Sequence, residues 1–133
     1  MSPTNQSAPR ILVAEDDYFV AMDLEGGLRA AGLQVIGPVP TAEEAIALAR
    51  SEHPILAVMD IRLAGTRDGI DAAEELYREL GIRCIFASAH VDAYTRQRAE
   101  PAHPLGWLPK PYTVAAVVAA VKSALPEVEK PIA

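Results

Sequence analysis

The stretch Ile55-Leu-Ala-Val-Met-Asp60 constrains this chain more than any other. An unbroken apolar run that short reads as a strand buried on both faces, as in a parallel sheet covered by helices. The run stops at a carboxylate. Open parallel sheets hold their sites beyond the carboxyl ends of the strands, so Asp60 is expected at the mouth of a crevice, on a rigid support. The following Ile61-Arg-Leu-Ala-Gly-Thr-Arg-Asp-Gly69 is too polar and glycine-rich to continue the strand. A carboxylate so placed is a metal ligand, a nucleophile or both.

The flanking sequence repeats the theme. Ile11-Leu-Val-Ala14 is a short apolar run ending in Glu15-Asp16-Asp17. Ala21, Leu24, Leu28 and Ala31 then share one helical face, closed by Gly32. Gly26 and Gly27 weaken this helix by about 1 kcal/mol each relative to Ala. They mark either close packing or a tolerant position. Val35–Val39 reads as an edge strand because of Pro38. Thr41-Ala-Glu-Glu44 is a capping box opening a second helix. It ends near Glu52, with His53 as a turn residue before Pro54. Ile70, Ala73, Tyr77 and Leu80 recur at helical spacing up to Gly81. Arg83–Ala87 is a fourth strand, leading into Ser88-Ala-His90. Val91–Ala99 is weakly helical and is broken by Pro101 and Pro104. Gly106–Pro109 is a short fifth strand, running into Lys110-Pro111. Thr113 caps a last helix carrying Val114, Val117, Val118, Val121 and Leu125 on one face, with Pro126 expected to end it. Strict β–α alternation predicts a parallel sheet with helices on both sides.

The 133 residues suit one domain, expected over residues 10–125, with disordered segments at 1–9 and 126–133. The net charge of -6 argues against direct nucleic-acid binding, which needs a basic surface. Cys84 is the single cysteine, so no disulfide forms within the chain, which fits a cytoplasmic location. No apolar run approaches the roughly 18 residues that span a bilayer, and the N-terminus has no signal-peptide pattern.

The strand ends bring Glu15, Asp16, Asp17, Asp60, Ser88 and Lys110 to one edge. Carboxylates about 4 Å apart repel by roughly 4 kcal/mol at an effective dielectric of about 20. A divalent cation would offset that, and Mg²⁺ (or Mn²⁺) takes such oxygen ligands. Lysine and a hydroxyl suit phosphoryl oxygens. The set fits phosphoryl transfer onto Asp60.

Leu12-Val-Ala-Glu-Asp-Asp17, Val58-Met-Asp60, Ala87-Ser-Ala89 and Leu108-Pro-Lys-Pro111 together resemble the response-regulator receiver domain of two-component signalling, across Ile11 to Leu125. The resemblance implies a CheY-like, flavodoxin-like doubly wound (βα)₅ sandwich of strand order 2-1-3-4-5. It implies Asp60 as phosphoacceptor, with Ser88 and Lys110 serving the transfer. It implies a metal held by Glu15, Asp16, Asp60 and the Arg62 carbonyl, with Asp16 the direct acidic ligand. Ser88 and Trp107 would form the switch, and a cis Lys110–Pro111 peptide is implied. Arg62 and His90 would tune the phosphoryl lifetime. Asp17 falls outside the pair and reads as a helix N-terminal acid. The implied partners are a histidine kinase or histidine phosphotransfer protein and a downstream protein target. A homodimer would use the face of the fourth helix, fifth strand and fifth helix.

The loop after Asp60 has Ala64 where the family usually has Pro, and is one residue longer before Gly69. With Asp68-Gly-Ile-Asp-Ala-Ala73 it resembles receivers paired with HWE/HisKA2-type histidine kinases, some of which carry Phe-Ala-Thr-Gly-Tyr. Phe86-Ala-Ser-Ala-His90 matches that signature in part. The expected function is a single-domain response regulator signalling through protein contacts. It is a switch whose chemistry is limited to self-catalysed phosphotransfer and autodephosphorylation. Alternatives are the receiver of a longer protein and a phosphate sink. A haloacid-dehalogenase-like phosphatase needs a second Asp two residues after the nucleophile, where Arg62 stands.

Overall fold

The computed structural model describes residues 8–89 and 91–129. The chain alternates β1 (Arg10–Ala14), α1 (Tyr18–Ala30), β2 (Gln34–Val39), α2 (Ala42–Glu52), β3 (Leu56–Asp60) and α3 (Gly69–Leu80). It continues with β4 (Cys84–Ser88), α4 (Ala93–Ala99), a 3-10 turn (Glu100–Ala102), β5 (Gly106–Pro109) and α5 (Val114–Glu129). One sheet holds all five strands in the order β2-β1-β3-β4-β5. Every pairing is parallel. This is the doubly wound architecture expected from the alternation.

The period-2 geometry of a strand divides each apolar run between two cores. Ile11 and Val13 of β1, with Leu56 and Val58 of β3, face Leu24 and Leu28 of α1 and Val117 and Val121 of α5. Leu12, Ala14, Ala57 and Met59 face the other way, onto Ala45 and Ile46 of α2 and Ile70, Ala73 and Leu76 of α3. Both faces are covered, so β1 and β3 need no polar alternation. The same contacts fix their carboxyl ends rigidly.

Local chemistry sets the helix starts. Thr41 Oγ1 accepts the Glu44 N–H at 3.1 Å, and its hydroxyl donates to the Glu44 carboxylate at 2.9 Å. Glu44 thus reaches back to the cap hydroxyl rather than to the cap N–H. Thr113 Oγ1 accepts from Ala116 N at 3.1 Å. Gly81, with φ 70°, closes α3. His53 closes α2 with φ 51°.

Pro126 lies inside α5, not at its end. Proline forfeits one hydrogen bond and crowds the preceding turn. Leu125 and Val128 nevertheless pack on the core, and Arg83 pairs with Glu127 at 3.3 Å, so the helix continues to Glu129. Residues 1–7 and 130–133 of the two expected disordered segments lie outside the described residues. Pro9 already belongs to the fold, its carbonyl accepting from Gln34 N at 2.8 Å.

The two glycines of α1 separate. A Cβ on Gly27 would sit 2.1 Å from Val114 Cγ1, whereas one on Gly26 would meet nothing within 4 Å. Gly27 is therefore the close approach of α1 and α5, and Gly26 is open. Gly26→Ala should raise the melting temperature, by about 0.5–1 kcal/mol of stability. Gly27→Ala should lower it. A thermal-melt comparison in which both move the same way would contradict this packing.

Candidate functional site

The site grows from the ends of β1, β3, β4 and β5. Glu15 continues the β1 ladder, donating its N–H to Val39 O at 2.9 Å. Its side chain is turned inward, and Oε2 accepts from Asp17 N at 3.0 Å. Asp17 caps α1, accepting from Phe19 N and Val20 N at 3.0 and 3.1 Å. Asp16, between them, is exposed. Asp60 ends β3 with 4 % exposure, against 3 % for Glu15, so both carboxylates are buried. Oδ1 of Asp60 accepts from Arg62 N at 3.1 Å.

Lys110 follows β5, its N–H donating to Ser88 O at 2.8 Å. Its ammonium meets Asp60 Oδ2 at 2.9 Å and Glu15 Oε1 at 3.5 Å. The Lys110–Pro111 peptide is cis, as is Gly37–Pro38. Asp60, Arg62, Ser88, Ala89 and Lys110 line a cavity of about 160 Å³. A wider pocket of about 640 Å³ adjoins it, bordered by Glu15, Asp16, Val20, Leu24 and Tyr112. Lys110 therefore supplies part of the offset to carboxylate repulsion that the sequence assigned to a cation.

Burial pushes Glu15 up from an ordinary 4.5 to about 7. The Asp60 charge adds to the rise, while the Asp17 N–H and the Lys110 charge oppose it. Burial opposes the Lys110 charge, but its bond to Asp60 and the two carboxylate charges outweigh that and raise its pKa. A raised carboxyl pKa stabilises the fold below the unfolded value and loses that contribution as pH climbs through the folded one. Without divalent ions, the melting temperature should fall between about pH 5 and pH 8, and Glu15→Gln should flatten the fall. Mg²⁺ favours the ionised carboxylates, so its added stabilisation should grow over the same interval. A stabilisation by Mg²⁺ that shrank over that interval would refute the assignment to Glu15.

One oxygen each from Glu15, Asp16 and Asp60 lies within 4.8 Å of the others, an arrangement that can hold a metal ion. The donors are all carboxylate oxygens, which suits a hard cation such as Mg²⁺. The pocket also contains the Tyr112 hydroxyl, buried beside Glu15 and without a well-formed hydrogen bond among the described residues, as a polar atom able to serve a ligand would be.

A family model described as response regulator receiver domain matches residues 11–122. The chain belongs to that family. It is 32% identical over 116 residues to the transcriptional regulatory protein PdtaR of Mycobacterium tuberculosis, covering 87% of this chain and 56% of that one. It is 37% identical over 120 residues to the phyllosphere-induced regulator PhyR of Methylorubrum extorquens, covering 89% and 44%. The chain thus spans about half the length of the curated relatives it matches. The signal receiver domain of a modulated diguanylate cyclase from Desulfovibrio desulfuricans G20 superposes with a TM-score of 0.82 at 30% identity, over 92% of this chain and 97% of that one. A CheY-like receiver domain from Methanospirillum hungatei JF-1 shares the fold, with a TM-score of 0.84 at 24% identity over 92% and 97%. Receiver domains are signalling switches of two-component systems. Among the described residues, no helix is long and apolar enough to cross a membrane.

The receiver site gathers Glu15, Asp16, Asp60, Arg62, Ser88 and Lys110. Trp107 stands apart, pairing across the strands with Phe86 while Ser88 pairs with Pro109. Its ring lies 5.0 Å from Phe86, under the Arg96 guanidinium at 5.1 Å. His90 lies outside the described residues. Two features went unread in the sequence. Arg98 grips Asp68, the cap of α3, at 2.6 and 3.0 Å and reaches Asp71 at 3.1 Å. Tyr112 is the other; its position directly after Lys110-Pro111 was the available signal.

Proposed function

We propose that this receiver accepts a phosphoryl group on Asp60, from a histidine kinase or a histidine phosphotransfer protein, in a Mg²⁺-dependent reaction. The observation that carries this is the Asp60 carboxylate, buried at a strand end, with the Lys110 ammonium 2.9 Å from Oδ2 and an open cavity beside it. An Asp60 oxygen forms the bond to phosphorus as the P–N bond of a phosphohistidine breaks, and the departing imidazole takes up a proton. Bound Mg²⁺ would supply charge neutralisation at the phosphoryl oxygens. Glu15, Asp16, Asp60 and the Arg62 carbonyl would hold it. Lys110 exchanges Asp60 for a phosphoryl oxygen, and the Ser88 hydroxyl meets another. The side chains of Arg62 and His90 then tune how long the phosphoryl group lasts. The exposed Tyr18, Phe19 and Met22 of α1, whose Val20 and Leu24 border the pocket, give a protein donor an apolar edge.

Output runs through protein contacts at α4, β5 and α5, the face on which a homodimer would also form. The α4 helix has seven residues and buries Ala99. Arg98 ties it to Asp68, and Arg96 ties it to Trp107. A phosphoryl group adds about -1.5 to -2 charge. Drawing Ser88 and Lys110 inward would let Trp107 turn and release one of those ties. The loop after Asp60, with its resemblance to receivers paired with HWE/HisKA2-type kinases, supports a kinase of that type as the donor.

Incubation with acetyl phosphate and Mg²⁺ tests the chemistry: mass spectrometry should show one added phosphoryl group, and none with EDTA present. Hydrogen exchange with beryllofluoride, which mimics the phosphoryl group, tests the switch. Protection should change among the residues from α4 to Trp107. Change confined to α1 and α2 would place the switch elsewhere.

A further inference from the structure

Tyr112 is a large side chain spent on an unusual purpose. Its ring packs against the core shared by α1 and α5, and its hydroxyl is buried beside the Glu15 carboxylate without a well-formed hydrogen bond to any of the described residues. Such an atom costs about 1–3 kcal/mol when left unsatisfied. Phenylalanine would fill the same space without that cost. The hydroxyl shares the wide pocket with Glu15, Asp16, Asp60 and Lys110. Burial and the carboxylates around it, Glu15 foremost, then Asp60 and Asp17, keep it a protonated donor. Glu15 is the natural acceptor. Its Oε2 already takes the Asp17 N–H at 3.0 Å, and its Oε1 is 3.5 Å from the Lys110 ammonium. That longer contact is the weaker of the two made by Lys110, and it would be lost if Lys110 turned to a phosphoryl oxygen.

We propose that Tyr112 is a positioning residue for the cation: its hydroxyl donates to the Glu15 carboxylate when that carboxylate turns to serve the ion. The inference rests on the metal-binding reading of the site and adds a member to it. The Lys110 ammonium lies 3.5 Å from Oε1, and the phenol stands beside the same carboxylate. With Glu15, Asp16 and Asp60 holding the ion and Lys110 turned to a phosphoryl oxygen, Tyr112 would supply the donor that Lys110 withdraws. Groups that orient a metal ligand in this way commonly change metal affinity by about 10-fold or more when removed.

Calorimetric titration of Mg²⁺ into the full chain and into Tyr112→Phe decides it, together with melting curves of both without metal. The Phe variant should bind Mg²⁺ about 10-fold more weakly. Its metal-free melting temperature should be equal or higher, because an unsatisfied hydroxyl has gone. Opposite directions in the two readouts exclude a merely structural role, which would lower stability and leave affinity alone. In a Glu15→Gln background, Tyr112→Phe should cause no further loss of affinity. Equal affinities for wild type and Tyr112→Phe would overturn this inference alone. No Mg²⁺ binding by the wild type would overturn the reading of the site as well.

Discussion

Asp60→Asn should fold and yet take up no phosphoryl group from acetyl phosphate. The substitution keeps the shape of a side chain that is 4 % exposed, so no cavity opens. It removes the proposed nucleophile, since an amide nitrogen has no lone pair to offer phosphorus at neutral pH. It also upsets the pairing around the group. The carboxylate accepts on both sides, from Arg62 N at 3.1 Å and from the Lys110 ammonium at 2.9 Å. An amide accepts on one side only, so one of those donors faces an NH₂ group. The loss is about one charge-assisted hydrogen bond, roughly 1.5–3 kcal/mol. Part of this returns through Glu15, whose pKa is raised partly by the Asp60 charge. The net fall in melting temperature should therefore be small beside the loss of labelling. Intact-mass measurement checks the chemistry, and a melting curve checks that the protein is folded. Full labelling of the folded variant would move the phosphoacceptor to another carboxylate.

The parallel sheet and the helix faces were legible because they depend on local periodicity, while the sheet order came from the family resemblance. Leu12, Ala14, Ala57 and Met59 alternate with Ile11, Val13, Leu56 and Val58, and two covered faces explain every one of them. The strand-end residues were legible for the same reason. Once β1, β3 and β5 are placed, Glu15, Asp60 and Lys110 have nowhere else to be. What stayed hidden depends on contacts distant in sequence. Ala64, where the family usually has Pro, donates its N–H to Pro40 O at 2.9 Å, a bond that proline has no hydrogen to make. That contact, with the bridge from Ala64 to Thr41, stitches the loop after Asp60 to the start of α2. Arg98 on Asp68 is likewise invisible from either residue alone. Pro126 misled because a local rule met a tertiary override: Leu125 and Val128 hold the helix past it.

Gly69→Ala should be the most damaging small substitution in the site, although Gly69 bears no functional group. A Cβ there would lie 2.0 Å from the Asp60 carbonyl oxygen, 2.9 Å from its carbon and 2.9 Å from Met59 Cγ. The obstacle is backbone, so no rotamer change relieves it. The glycine is pinned from its other side too, its N–H donating to Ile61 O at 2.7 Å. Asp68, next to it, caps α3 through Asp71 N at 2.9 Å. Either α3 retreats from β3 or the end of β3 bends. Overpacking of a tight core costs about 1–3 kcal/mol, and a backbone clash of this size belongs at the upper limit. Alanine recovers less than about 1 kcal/mol through helix propensity. The melting temperature should drop by roughly 5–10 °C. A bend at Asp60 also changes where its carboxylate points, so Mg²⁺ affinity and labelling by acetyl phosphate should fall together. Gly26→Ala, in open space on α1, is the control for adding the same methyl group. A Gly69→Ala protein that melted with the wild type and labelled at the same rate would show that β3 and α3 separate freely, and Asp60 would lose the rigid support on which the whole site depends.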